Sequence, residues 1–267
     1  MKLFVILSVI VAAVAAVPAG NVITVREALG LSSKIISGQP AAAGQFPWQA
    51  LNQFQTSAGS FICGGALIHP RWVLTAAHCA DGAYSFRITL GTLRADGNIE
   101  SHARVITTNT AIVHQNYNPS YLWNDVALVD LKVEVALSAY IQLVAVGTDQ
   151  IGSGVGVTVS GWGKTSDNGG TSSSLNYVNL VTITNQQCAQ VYGSSINDGS
   201  LCCQGFPQHS TCSGDSGGPL VYWNGNYVQH VGVVSFVHRS GCASGNPSGY
   251  ARTSYYRSWI YGRIGKN

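Results

Sequence analysis

Cys212-Ser213-Gly214-Asp215-Ser216-Gly217-Gly218-Pro219 decides how the rest of the chain is read. Three glycines bracket a single hydroxyl. Gly214, Gly217 and Gly218 leave the backbone free to adopt conformations closed to residues with a Cβ. Such a loop can turn two backbone N–H groups toward one point beside Ser216 Oγ. A nucleophile next to donors aimed at a developing oxyanion is the equipment of acyl transfer. Serine is a weak nucleophile at neutral pH, so the reading requires a base and a group to orient that base.

Both stand upstream. Thr75-Ala76-Ala77-His78-Cys79 offers the histidine, and Asn124-Asp125-Val126-Ala127-Leu128 offers a carboxylate leading into an apolar run. The other histidines (His69, His102, His114, His209, His230 and His238) share no metal-type spacing with a second ligand and read as structural or exposed. In these three motifs the chain resembles the chymotrypsin-like, trypsin-fold serine endopeptidases. The order His, Asp, Ser is that family's, distinct from subtilisins and α/β-hydrolases. The resemblance runs from Ile35 to the C-terminal helix. Within the family, Ile35-Ile36-Ser37-Gly38-Gln39-Pro40 and a neutral pocket look similar to arthropod digestive chymotrypsins, including the brachyurin-like group.

The resemblance implies an all-β fold: two antiparallel six-stranded β-barrels with a C-terminal α-helix. Periodicity alone says only all-β, with Ser254 placed to cap a terminal helix whose Trp259, Ile260, Arg263 and Ile264 follow helical spacing. The resemblance also implies that His78, Asp125 and Ser216 form the catalytic triad and that the Gly214 and Ser216 N–H groups make the oxyanion hole. Ser235 falls where the family hydrogen-bonds the triad aspartate. The specificity pocket would have Ser210 at its base, with walls at 210–212, at Ser235, Phe236 and Val237, and near Ser248. A base without a carboxylate disfavours Lys or Arg substrates, because a buried unpaired cation is costly. Val237 stands where chymotrypsins have glycine, which narrows the slot toward medium or small apolar side chains. Residues 235–237 should pair with an extended substrate as an added strand. By the same resemblance Cys63 pairs with Cys79, Cys212 with Cys242, and Cys188 with Cys202. Cys203 is then left over, and either of the two neighbours could be the true partner of Cys188.

The amino-terminal end reads independently of this. Lys2 supplies a positive start, Leu3 to Val14 an apolar core, and Val14-Ala15-Ala16 a small-residue cleavage site, so residues 1–16 are a signal peptide. The apolar run is shorter than the ~20 residues that span a bilayer, and no later segment is long enough either. Residues 17–34 look like an activation pro-segment, ending at a trypsin-type cleavage point after Lys34. In the family pattern, the new amino group on Ile35 then turns inward and pairs with Asp215. The family has glycine where this chain has Ser37. Residues 35–267 would be the protease domain, its two halves meeting at a glycine-rich crossover near 144–156.

Composition agrees with this picture. The chain has 267 residues, of which 46% are hydrophobic and only 9% charged, with 31 glycines. An average protein carries about 25% charged residues, so the surface here is built from uncharged polar groups. A net charge of +3 with no basic stripe leaves a nucleic-acid role unsupported. Seven cysteines behind a secretory start argue for disulfides. Neither a metal nor a cofactor is expected, since no acidic cluster marks a calcium loop.

The expected protein is therefore a secreted, monomeric digestive endopeptidase with an apolar, chymotrypsin- or elastase-like preference. It would work outside the cell, the gut lumen being the location that suits digestion. Its partners would be protein or peptide substrates, an activating trypsin-like protease and protein protease inhibitors. The competing reading is a catalytically silent protease homologue acting as a binding or cofactor protein. Such homologues usually lose a triad member, and this chain keeps all three.

Overall fold

A computed structural model describes residues 38–205, 209–225 and 227–265. The expected signal peptide and pro-segment, with Lys34 and Ile35, lie outside the described residues. The strands are β1 (Gln39–Pro40), β2 (Gln49–Thr56), β3 (Gly59–His69), β4 (Trp72–Thr75), β5 (Ser85–Leu90), β6 (Arg104–Thr108), β7 (Ala111–Val113), β8 (Ala127–Asp130), β9 (Ala145–Val146), β10 (Gly156–Gly161), β11 (Asn176–Ile183), β12 (Ser200–Gln204), β13 (Pro219–Trp223), β14 (Val228–Phe236) and β15 (Ser248–Arg252).

These segments are strands because their side chains alternate. In β11, Asn176, Val178, Leu180 and Thr182 face inward, while Asn179 and Val181 face outward. In β5, Phe86, Ile88 and Leu90 are all fully buried. The first half of the chain forms a sheet in the order β6-β5-β2-β3-β4-β8-β7. Its two edges, β6 and β7, are separated by only Asn109 and Thr110, so the chain itself joins them. The second half orders as β11-β10-β13-β14-β15-β12, and β12 pairs back onto β11, closing a six-stranded ring. The two-residue strands β1 and β9 are appended to it. The architecture is thus one closed barrel and one open barrel, all antiparallel except the β9–β14 pair, with a C-terminal helix. Each half has its own apolar filling: Leu67, Leu74, Phe86, Ile88 and Leu128 in the first, Val159, Val178, Leu180, Leu220 and Tyr250 in the second. Truncating one such leucine to alanine typically costs about 2–5 kcal/mol.

Two local details differ from what the sequence suggests. The terminal helix Thr253–Ile264 begins directly out of β15, with Arg252 at the N-cap and no side-chain cap; Ser254, a capping residue by type, lies inside the helix and caps nothing. A further helix, Asn185–Tyr192, has no apolar periodicity to announce it. Thr184 and Gln187 form a reciprocal capping box at its start.

Candidate active site

The two sheets meet at glycine. A Cβ on Gly64 would stand 2.7 Å from Gly218 Cα, and one on Gly217 would stand 2.7 Å from the Gly64 carbonyl oxygen. With hydrogen in those places the backbones touch. Gly64 N donates to Ser216 O at 2.7 Å, and Thr75 Oγ1 donates to Gly64 O at 2.8 Å. Gly64 follows Cys63, which is disulfide-bonded to Cys79, the residue after His78. The short helix Ala77–Ala80 carries His78 off the end of β4. The Ser216 loop of the second half is thereby set against the His78 loop of the first. Nothing in the sequence singles out Thr75 or Gly64 as parts of this seam.

Asp125 lies at the floor of the site and is fully buried. Its Oδ1 accepts the backbone N–H of His78 at 2.9 Å. Its Oδ2 accepts His78 Nδ1–H at 2.8 Å and the Ser235 hydroxyl at 2.6 Å. A carboxylate can only accept, so Nδ1 carries the ring proton and Nε2 is left free to accept one. His78 keeps 27% of its side chain exposed. Burial pulls its pKa down, but the charge and hydrogen bond of Asp125 outweigh this and raise it overall. Ser216 is half-buried, and its hydroxyl makes no side-chain hydrogen bond among the described residues. Such contacts commonly tighten only when substrate is bound.

The nucleophile loop is held from within. Asp215 is fully buried, and its carboxylate accepts from Gly163 N at 2.7 Å and Cys212 N at 2.9 Å. Burial pushes its pKa up to about 6 against the lowering effect of these two bonds. Among the described residues no cation pairs with it. The amides of Asp215, Gly217 and Gly218 are taken by Cys212 O, Val234 O and Asp215 O. Those of Gly214 and Ser216 meet no backbone acceptor among the described residues, and Gly214 sits at φ +102°.

Ser210 and Ser248, expected in the specificity pocket, are both buried. Ser248 Oγ lies 2.9 Å from Tyr250 Oη. Strand pairing sets Phe236 opposite Gly249. A Cβ on Gly249 would overlap the Phe236 ring, so this glycine lets the ring lie flat on the strand. Tyr192 meets the ring edge-on at 4.9 Å and donates its hydroxyl to Pro247 O. The capping box at Thr184 is the one sequence signal for the helix that brings Tyr192 here. Val237 packs on the Cys212–Cys242 disulfide. An open groove of about 700 Å³ continues past Phe236, lined by Tyr121, Leu122, Tyr192, Val237, His238 and Arg239.

The remaining disulfide joins Cys188 to Cys202, and Cys203 is free and buried. Burial pushes its thiol pKa well up, which makes it a poor nucleophile. Cys63, His78 and Cys79 converge, as do Asp167, Cys212 and Cys242. The sulfurs in both groups are spent in disulfides, which leaves each with one ordinary metal ligand.

The trypsin family model matches residues 35–260. Brachyurin of Leptuca pugilator is 37% identical over 234 residues, covering 86% of this chain and 99% of that relative. Chymotrypsin-like elastase family member 1 of Macaca fascicularis is 33% identical, covering 88% and 91% of the two chains. A solved structure of HL collagenase superposes with a TM-score of 0.79 at 35% identity, covering 87% of this chain and all of that one. One closed and one open barrel meeting at a histidine–aspartate pair and a glycine-bracketed serine, over the full span these relatives share, make the chain a member of the trypsin family and a serine endopeptidase.

Proposed function

We propose that the protein is a secreted zymogen whose mature form cleaves peptide bonds through Ser216, His78 and Asp125. The observation that carries this is the Asp125 carboxylate, which holds His78 at two points and is itself held by Ser235. Ser216 Oγ attacks the scissile carbonyl and gives its proton to His78 Nε2. The resulting oxyanion takes the Gly214 and Ser216 N–H groups. His78 then hands the proton to the leaving amine, and the C–N bond breaks to leave an acyl-enzyme. Water repeats the sequence with His78 as base, releasing a carboxylic acid and restoring Ser216. Asp125 stays ionised throughout and stabilises the imidazolium that forms in each half.

The pocket reading supports cleavage after apolar residues. Ser210 and Ser248 bring no charge to it, and Val237 leaves less room than a glycine would. Substrate backbone would pair along residues 235–237. Cleavage after Lys34 by a trypsin-like protease would free the Ile35 amino group to pair with Asp215, which has no cation partner among the described residues. The expected signal peptide supports an extracellular role, which we read as digestive and carried out by a monomer subject to protein inhibitors.

The test is to activate the secreted precursor with trypsin, remove the trypsin, and assay peptides with Phe, Leu, Ala or Arg before the scissile bond. Cleavage after Phe, Leu or Ala but not Arg, abolished by Ser216→Ala, is expected. Preference for Arg would refute the pocket assignment. No cleavage from a chain with a verified Ile35 terminus would refute the triad assignment.

A further inference from the structure

The Cys212–Cys242 disulfide spans the pocket wall, and each of its two cysteines is held by a different carboxylate. Asp215 Oδ2 accepts the Cys212 amide at 2.9 Å. Asp167 Oδ1 accepts the Cys242 amide at 2.6 Å and reaches the Ala243 amide at 3.4 Å. Asp215 lies in the nucleophile loop, whereas Asp167 comes from a separate loop, pinched shut by the bridge between Lys164 and Thr171. That loop is tied to the nucleophile loop elsewhere. Lys164 N donates to Ser213 O at 2.9 Å, and Gly163 N donates to Asp215. Gly241 is shaped to admit Asp167. It has φ +107°, and a Cβ there would stand 2.5 Å from Asp167 Oδ2.

From this we infer that Asp167 is a positioning residue for substrate selection: its carboxylate clasps the 241–243 wall of the pocket to the loop that braces Ser213 and Asp215. The inference rests on the triad and pocket reading above and adds to it the residue that sets the wall's position. Its physical basis is the charge-assisted hydrogen bond, which is shorter and stronger than a neutral one. The bonding partners are backbone amides, so the clasp fixes the chain path and not merely one rotamer. Asp167 itself is exposed, so it can be replaced without opening the core. Val237 rests on the same disulfide, so a shift of Cys242 would move the narrowing side chain too. Asp167 is also 75 residues from Cys242 in sequence, a contact that no local motif reveals.

The experiment compares the activated parent with Asp167→Ala and Asp167→Asn. Asn keeps an oxygen that can accept from Cys242 N; Ala does not. Two readouts are taken. One is KM and kcat for peptides with Leu or Ala before the scissile bond, which fill the pocket to different depths. The other is the acylation burst with p-nitrophenyl acetate, whose acetyl group does not fill the pocket. Asp167→Ala is expected to lower kcat/KM for the Leu peptide about five- to thirtyfold, somewhat less than a buried charge-assisted hydrogen bond because Asp167 is exposed, mainly through KM. The acetate burst should stay within about twofold, and Asp167→Asn should recover most of the loss. A Leu-to-Ala ratio unchanged by Asp167→Ala overturns the inference, as does an equal fall in the burst or a failure of Asn to rescue. A parent with neither burst nor peptide cleavage overturns the Ser216 reading, and this inference with it.

Discussion

Asp215 offers the most direct test of the proposed activation by cleavage after Lys34. In the uncut chain it is a fully buried acid held by two amides and no cation among the described residues, and its pKa is raised from 3.8 to about 6. The folded state therefore binds a proton more tightly than the unfolded state does. The stability this contributes is complete below the unfolded pKa and is lost as pH rises through the folded pKa. A carboxyl raised this far is worth about 2.4 kcal/mol between pH 4 and pH 7. The perturbation is Asp215→Asn, made in a Ser216→Ala background so that no self-cleavage intervenes. Urea midpoints of the uncut chains are measured from pH 4 to pH 8. Relative to Asp215→Asn, the parent should lose about 2.4 kcal/mol across that range, since other titrating groups cancel in the difference. Cutting after Lys34 should then return much of this loss to the parent at pH 8, because the Ile35 ammonium would pair with the buried carboxylate. Parallel pH curves for the uncut parent and Asp215→Asn would refute the burial argument. A cut parent no more stable than the uncut one at pH 8 would refute the pairing.

Further outcomes are expected at other sites. His78 is raised above its ordinary 6.5, so the acid limb of kcat/KM for an apolar peptide should have its midpoint above 6.5; a midpoint near 5.5 would contradict the Asp125 coupling. His230 is fully buried with both ring nitrogens lacking side-chain partners, and burial lowers its pKa to about 3. The unfolded chain then takes up the proton first as pH falls, so from pH 7.5 to pH 5 the parent should lose about 2 kcal/mol more stability than His230→Leu, read from urea midpoints. Val237→Gly should raise the Phe-to-Ala ratio of kcat/KM about tenfold, the size of a methylene or two of pocket space, and an unchanged ratio would remove Val237 from the wall.

How much of this is legible in the sequence follows from how far apart the interacting residues are. Alternating runs such as 86–90 and 178–183 announce strands, because each strand's own side chains decide which face is buried. The helix Asn185–Tyr192 is hidden for the converse reason. Cys188 is its only buried residue, so it has almost no apolar stripe, and only the Thr184–Gln187 capping box marks it. At the C-terminus the spacing of Ile260 and Ile264 does indicate a helix. Its start is harder to read, because β15 runs straight into the helix and leaves no capping residue between them, so Ser254 suggests a boundary that is not there. In the site, the motifs around His78, Asp125 and Ser216 stand out because each packs several functional atoms into five to eight consecutive residues. The fit of Phe236 on Gly249 and the clasp of Asp167 on Cys242 join residues from different loops, and nothing local signals either one.

The peptide hydrogen bond from Gly64 to Ser216 has a consequence for how the enzyme would fail. It joins the loops that carry the histidine and the serine, whereas other backbone links between the halves, such as Leu175 to Leu93 and Ala95 to Ser173, lie elsewhere in sequence, so the two side chains reach their working positions only while it and its glycine neighbours stay in register. Beyond the apolar cluster that runs through both, each sheet also fills its own interior, with Phe86 and Ile88 in the first and Val159 and Leu180 in the second, so its strands can outlast a slight drift at this seam. The site thus behaves as a coincidence detector, silent unless both halves are present and docked. Loss of activity on heating would then mark the parting of the halves, at a temperature below that at which circular dichroism records the melting of either one.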